Sequence, residues 1–198
     1  MFDTYPALTS DAALCIVPEE MRLMNAYFEK NHVTHAFLTT QVGRQFATDI
    51  ENHSLKYSTV GREKFVMLNP PKNFSLVNDY GTAECIILIT DFKVDKSEKN
   101  ILIGKLIDNV KNYIVDQNFN RVPIGVVGEL IVAGIHVGAD YLNRPEKTAE
   151  RFINCNGMRV YKSSDYARWT ANDDVEISGR LDNQIKLRGS SQTFLNEQ

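Results

Sequence analysis

Cysteine is scarce in this chain and odd in number. Cys15, Cys85 and Cys155 lie far apart, which excludes a disulfide framework and a cysteine-based metal site. Cys15 and Cys85 sit in apolar runs, where free thiols pack as small buried hydrophobes. The four histidines, His32, His35, His53 and His136, show neither metal-ligand nor catalytic-triad spacing. No apolar run approaches the ~20 residues of a membrane-spanning helix. Met1-Phe2-Asp3-Thr4 carries an acid where a signal peptide places positive charge. A surplus of one charge sign is missing as well: 22 basic against 25 acidic residues leave a net charge of -3, so no nucleic-acid-binding face is expected. A Gly-x-Ser-x-Gly elbow and a Walker-type phosphate loop are both absent. What is left is a cytosolic globular protein. With 198 residues, 43% of them hydrophobic, it can build one large core or two small ones.

Hydrophobic periodicity then orders the first hundred residues as alternating strand and helix. Ala12–Val17, ending at Pro18, reads as a buried strand. Met21, Met24, Tyr27 and Phe28 fall at helical spacing within 19–30. Residues 33–38 read as the next strand. Thr39 or Thr40 can cap a helix reaching Asp49, with Val42, Phe46 and Ile50 inward. Ser58–Gly61, Lys64–Leu68 and Phe74–Asn78 are further strand candidates, and Cys85–Thr90 is another apolar run. This order favours a parallel sheet with covering helices. The polar, lysine-rich stretch 91–100 reads as a connection between subdomains. Beyond it come short strands around 112–115, 128–134, 159–161 and 175–177, broken by one helix entered at Pro145. The expected fold is therefore α/β: a partial parallel layer over 1–100, then a β-rich, barrel-like subdomain over 101–180.

Three segments carry possible chemistry. Asn78-Asp79-Tyr80-Gly81-Thr82-Ala83-Glu84 follows a strand, and ligands of α/β sheets bind at strand C-terminal edges. An aromatic ring, a glycine for close approach and a carboxylate able to hold Mg²⁺ suit a nucleotide site. A plain surface turn fits the same residues. Tyr161-Lys162-Ser163-Ser164-Asp165 places a carboxylate after small residues, as in sites that grip ribose hydroxyls; an Asx-type turn between two strands is the alternative. Gly179 to Gly189 interleaves Arg180, Lys186 and Arg188 with Leu181, Ile185 and Leu187, a half-buried strand beside a flexible joint, or an ordinary charged hairpin. The segment from Gly128 to Phe152, with its Gly-Glu-Leu-Ile-Val-Ala-Gly strand, looks architectural.

Taken in order, Asn78–Glu84, Gly128–Gly134, Tyr161–Asp165 and Gly179–Gly189 resemble four motifs of the adenylation domains of nonribosomal peptide synthetases, within the acyl-adenylate-forming, AMP-binding ligases. The resemblance implies ATP or AMP and Mg²⁺ as ligands. Asp79, Tyr80 and Gly81 would lie along the nucleotide, with Tyr80 stacked on adenine. Glu84 would hold Mg²⁺, Asp165 the ribose hydroxyls, and Arg180 would reach ribose or phosphates. Asp182 would be the hinge of a C-terminal lobe beginning within 181–198. Phe37, Val60, Asp79 and Ile87 would line the substrate pocket. The implied partners are an amino-acid substrate, a carrier-protein phosphopantetheine and the remaining synthetase segments.

The same resemblance sets expectations about what is not here. The family's Ser/Thr/Gly-rich phosphate loop would precede Met1, and its catalytic lysine would follow Gln198. The chain by itself is therefore expected not to turn over, and uncovered apolar surface would favour self-association. Within the motifs, Thr82-Ala83 stands for Pro-Thr, removing a hydroxyl toward phosphate. Arg62 follows Gly61 where a small residue is usual. Ser163-Ser164 stands for Thr-Gly, a change that matters where that glycine needs positive φ. An amino-acid-adenylating fragment, a non-catalytic AMP- or ATP-binding remnant, and a folded product that uses no ligand are the three readings left open.

Overall fold

In the computed structural model, residues 4–17, 21–61, 70–86, 88–97, 102–155, 157–181, 184–187 and 190–193 are described. The chain divides into two compact units, Met1–Asn78 with Lys93–Ile101, and Asp79–Phe92 with Leu102–Gln198.

The first unit opens with α1 (Thr4–Thr9), α2 (Met21–Lys30), β1 (His35–Thr39), α3 (Thr40–Asp49) and β2 (Tyr57–Gly61). The helical stripe on α2 buries Phe28, whose ring lies 5.6 Å from that of Phe46 on α3. Phe46 faces fully inward, while Val42 and Ile50 are half-buried. Gly43 is the buried contact between α3 and β2, because a Cβ there would stand 2.2 Å from Val60 Cγ1. That glycine lets α3 lie directly on β2. β1 and β2 run parallel, pairing Phe37 with Thr59 and Leu38 with Val60, as the strand-helix-strand order predicts. Thr40 Oγ1 donates to Gly61 O at 2.9 Å, tying the start of α3 to the end of β2.

One expectation fails in this half, and another is untested. Residues 12–17 form no strand: Leu14 and Ile16 are exposed and Cys15 is half-buried. A strand needs a hydrogen-bonded neighbour, and among the described residues none pairs with this run. The candidate strand 64–68 lies outside the described residues.

β3 (Ser75–Tyr80) is followed by a 3-10 turn (Ala83–Cys85), β4 (Thr90–Val94) and β5 (Lys105–Leu106). The sheet order is β1-β2-β3-β4-β5. It is mixed, not purely parallel, since β4 and β5 are antiparallel with Thr90 opposite Leu106. β4 occupies the start of the stretch read as a polar connection. Thr90 and Val94 are buried while Asp91 and Lys93 are exposed, a period-two pattern masked by its charges. The apolar run before it instead turns, sending Cys85 and Ile89 into the core.

The second unit continues with β6 (Val110–Val115), β7 (Gly128–Gly134), α4 (Pro145–Arg151), β8 (Phe152–Cys155), β9 (Met158–Trp169) and β10 (Val175–Arg180), then the hairpin β11 (Gln184–Leu187) with β12 (Ser190–Thr193). Its main sheet is antiparallel, in the order β10-β9-β7-β6, with β8 on β9. Alternation places Val110, Ile114, Leu130, Val132, Ala167 and Val175 in one set of core clusters. Val115, Ile131, Ala133 and Val160 form another, as period two requires of a sheet packed on both faces. The α/β layer and the β-rich sheet expected from the sequence are thus both present.

Candidate functional site

Asp165 sits inside one continuous twelve-residue strand, β9, not in a turn between two strands. Its position is set by two register faults. On one side, β7 pairs Glu129 with Tyr166 and Ile131 with Lys162. Leu130 alone therefore faces Ser163, Ser164 and Asp165, so β9 bulges outward. Such bulges re-aim side chains and are common beside active sites. Ser163 Oγ repairs the ladder: it donates to Leu130 O at 2.6 Å and accepts from the Asp165 N–H at 3.0 Å. Ser164 takes φ +62, the left-handed region in which only glycine is unstrained. The glycine usual at this point of the motif therefore has a backbone reason, and serine here carries strain.

On the other side, β10 pairs Ile177 with Ala167 but Gly179 with Tyr166 and Arg180 with Asp165. Ser178 is the extra residue. It moves Arg180 one place along and brings the guanidinium opposite the carboxylate. Arg180 Nη1 donates to Asp165 Oδ1 at 2.8 Å, a charge-assisted bond. Tyr80, from the end of β3, donates its hydroxyl to Asp165 Oδ2. Burial first, and then the Asp165 charge, hold the Tyr80 proton well above the ordinary phenol range, so Tyr80 stays a donor. Its ring packs against the clusters around Val132 and Leu130. Asp165 itself is 4% exposed.

Glu84 stands in the 3-10 turn just beyond Gly81. Its Oε1 accepts the Tyr141 hydroxyl at 2.6 Å. Burial, followed by this bond to Glu84, raises Tyr141 to about 12. Tyr141 is held in turn by α4: its backbone N–H donates to Thr148 Oγ1 at 3.0 Å, and its ring meets Phe152 edge-on at 5.3 Å. Tyr161, four residues before Asp165, is pushed up by burial and then by Glu84. The turn ends at Ile86 with φ +53, a β-branched residue in the left-handed region, which is costly. Among the described residues, no group of three or more His, Cys, Asp or Glu side chains could hold a metal. One half-buried carboxylate fits Mg²⁺ nonetheless, because that ion commonly takes one or two protein carboxylates and completes its shell with phosphate and water.

Asp79 is half-buried at the head of the motif, and burial, with the charge of Asp91 second, raises its carboxyl to about 7. Of the other pocket positions, Phe37 lines a 920 Å³ cavity of the first unit, whereas Val60 is wholly buried beneath α3. Ile87, Arg62 and Asp182, the residue expected to be a hinge, lie outside the described residues. The structure thus gathers Tyr80 and Arg180 on the Asp165 carboxylate and gives Glu84 a separate partner. Tyr141 and Arg151 come from the segment read as architectural. Their partners lie 57 and 13 residues away in the chain, and no local spacing announces either contact.

The model of the family described as "AMP-binding enzyme" matches residues 1–142. Bacitracin synthase 1 of Bacillus licheniformis is 38% identical over 196 residues, covering 96% of this chain and 4% of that protein. Surfactin synthase subunit 2 of Bacillus subtilis is 37% identical, covering 96% and 5% respectively. The artificially fused adenylation-PCP di-domain NpsA-ThdA from Klebsiella oxytoca superposes with a TM-score of 0.84 at 23% identity, covering 96% of this chain and 42% of that one. The N-terminal subdomain of Klebsiella oxytoca NpsA, in complex with 3-hydroxybenzoyl-AMSN, gives 0.75 at 23% identity, covering 90% and 50%. At that identity the two structures speak for the fold. The chain spans a small part of the curated synthases and at most half of these solved chains. It belongs to the AMP-binding enzyme family, and its resemblance is to the adenylation domains of nonribosomal peptide synthetases.

Proposed function

We propose that this chain supplies the ribose- and phosphate-facing part of an amino-acid-adenylating unit. There an amino-acid carboxylate attacks the α-phosphate of ATP, aminoacyl-AMP forms and pyrophosphate leaves, before transfer to the phosphopantetheine thiol of a carrier protein. The observation that carries this reading is the buried Asp165 carboxylate fixed between Tyr80 and Arg180. Each carboxylate oxygen can accept more than one hydrogen bond, so ribose hydroxyls can donate to oxygens already held by those two residues. Arg180 brings a fixed positive charge beside the ribose, suited to stabilising charge that develops on phosphate. Glu84, aligned by Tyr141, is the residue that would hold Mg²⁺, and the ion when bound would neutralise phosphate charge. Gly81 follows Tyr80 where close backbone approach to the nucleotide is needed. Phe37, Val60, Asp79 and Ile87 are proposed as substrate-pocket positions, and Asp182 as the hinge of a lobe starting at 181–198.

The relatives support this reading by kind: one Klebsiella structure is described as an artificially fused adenylation-PCP di-domain, and the other as an N-terminal subdomain in complex with 3-hydroxybenzoyl-AMSN. Calorimetric titration of the chain with ATP and Mg²⁺ tests it. Binding is expected, and Asp165→Ala abolishes it. Binding that survives this substitution overturns the ribose assignment.

A further inference from the structure

The geometry points to Arg151 as a positioning residue, a clamp from α4 that holds the strained bulge at Ser164 and thereby aims Asp165 at a ribose. The inference rests on the nucleotide reading of Asp165. Arg151 is the last residue of α4, and its side chain is 18% exposed. Its Nη1 donates to Ser164 Oγ. The buried Ser164 carbonyl accepts the Leu181 N–H at 2.7 Å, one residue past Arg180. Ser164 is therefore tied at three points: to α4 through its hydroxyl, to Leu181 just past β10 through its carbonyl, and to Asp165 through the chain itself.

This junction answers a specific cost. A non-glycine residue at φ +62 stays there only when its surroundings over-determine it. Glycine would hold that backbone without help, so a serine needs the clamp that glycine does not. Arg151 supplies it with a charge-assisted bond to a side chain that only the serine possesses. The bulge facing Leu130 leaves residues 163–165 without a regular ladder on the β7 side. The two ties on Ser164 therefore carry more of the orientation of Asp165 than strand pairing would.

The test is a two-by-two set, wild type, Arg151→Ala, Ser164→Gly and the double variant, titrated with AMP and with 2′,3′-dideoxy-AMP. Hydrogen exchange at the Leu181 amide is followed in the same proteins. Arg151→Ala is expected to weaken AMP about tenfold, the scale of one lost charged hydrogen bond, and to speed Leu181 exchange. Affinity for dideoxy-AMP, which has no hydroxyls for Asp165, stays within about twofold. In the Ser164→Gly background the same substitution changes neither readout by more than about twofold. Arg151→Gln, which keeps an N–H donor near the hydroxyl, restores slow exchange. An equal loss in both backgrounds, an equal loss on both nucleotides, or an unchanged Leu181 amide overturns the clamp. If wild type binds neither nucleotide, the proposed function falls, and the exchange cycle still decides whether Arg151 clamps Ser164.

Discussion

Arg180 and Asp165 stand directly opposite one another on β10 and β9, and they do so because Ser178 is an extra residue in the register. Without it Gly179 would face the carboxylate. The pair is asymmetric: the Arg180 side chain is 22% exposed and that of Asp165 6%. Removing the arginine leaves a buried carboxylate short of its cation. Arg180→Ala is therefore expected to cost about 2–3 kcal/mol in urea unfolding at pH 7. A cost below about 0.5 kcal/mol would contradict the burial argument.

Asn112 offers a gain. It is 6% exposed on β6, opposite Val132 and between Val110 and Ile114. Neither atom of its amide has a hydrogen-bond partner among the described residues. A buried amide without partners costs more than an apolar group of similar shape. Asn112→Val is expected to stabilise the fold by about 1–2 kcal/mol, read as a raised urea midpoint with an unchanged slope. A loss of stability would mean that the amide is satisfied.

Asp79 predicts a pH dependence. Its carboxyl is raised from 3.8 to about 7, so between those values the folded chain binds a proton that the unfolded chain has released. Stability contributed by this group is full below pH 4 and falls as pH rises toward 7, then levels off. With residual water contact at this half-buried site, the loss is about 2 kcal/mol. Asp79→Asn should remove that slope and gain stability at pH 8. Urea unfolding of both proteins from pH 4 to 8 checks it, and an unchanged slope in the variant would assign the dependence elsewhere.

Tyr141 and Glu84 form the second polar joint. Tyr141→Phe deletes the hydroxyl that donates to Glu84 Oε1 while keeping the ring against Phe152. The expected cost is about 1 kcal/mol. On the proposed function, the variant should also weaken ATP binding in Mg²⁺ more than AMP binding in its absence. Equal weakening of both would separate Tyr141 from the metal.

Much of this layout was legible in the sequence, where local pattern governs. The stripe on α2, the helix after Thr39 and the strand at 128–134 follow from periods of 3.6 and 2. Ser164 was legible as a doubt about positive φ, and φ +62 answers it. Features that depend on distant partners were not. Residues 12–17 have strand composition without a strand to pair with, and β4 hides its alternation behind Asp91 and Lys93. The extra residue at Ser178 and the bulge facing Leu130 are consequences of pairing, so no single segment encodes them. Tyr141 and Arg151 escaped because hydrogen bonds across 57 and 13 residues leave no local spacing.

The central claim is that the bulge around Asp165 is a nucleotide site. Amide chemical-shift mapping of the ¹⁵N-labelled chain during AMP addition tests it most directly. The account predicts saturable shifts concentrated at Gly81, Ser164, Asp165 and Leu181, and their loss in Asp165→Ala. Shifts confined to the unit holding α2, β1 and α3, or none at all, would contradict it.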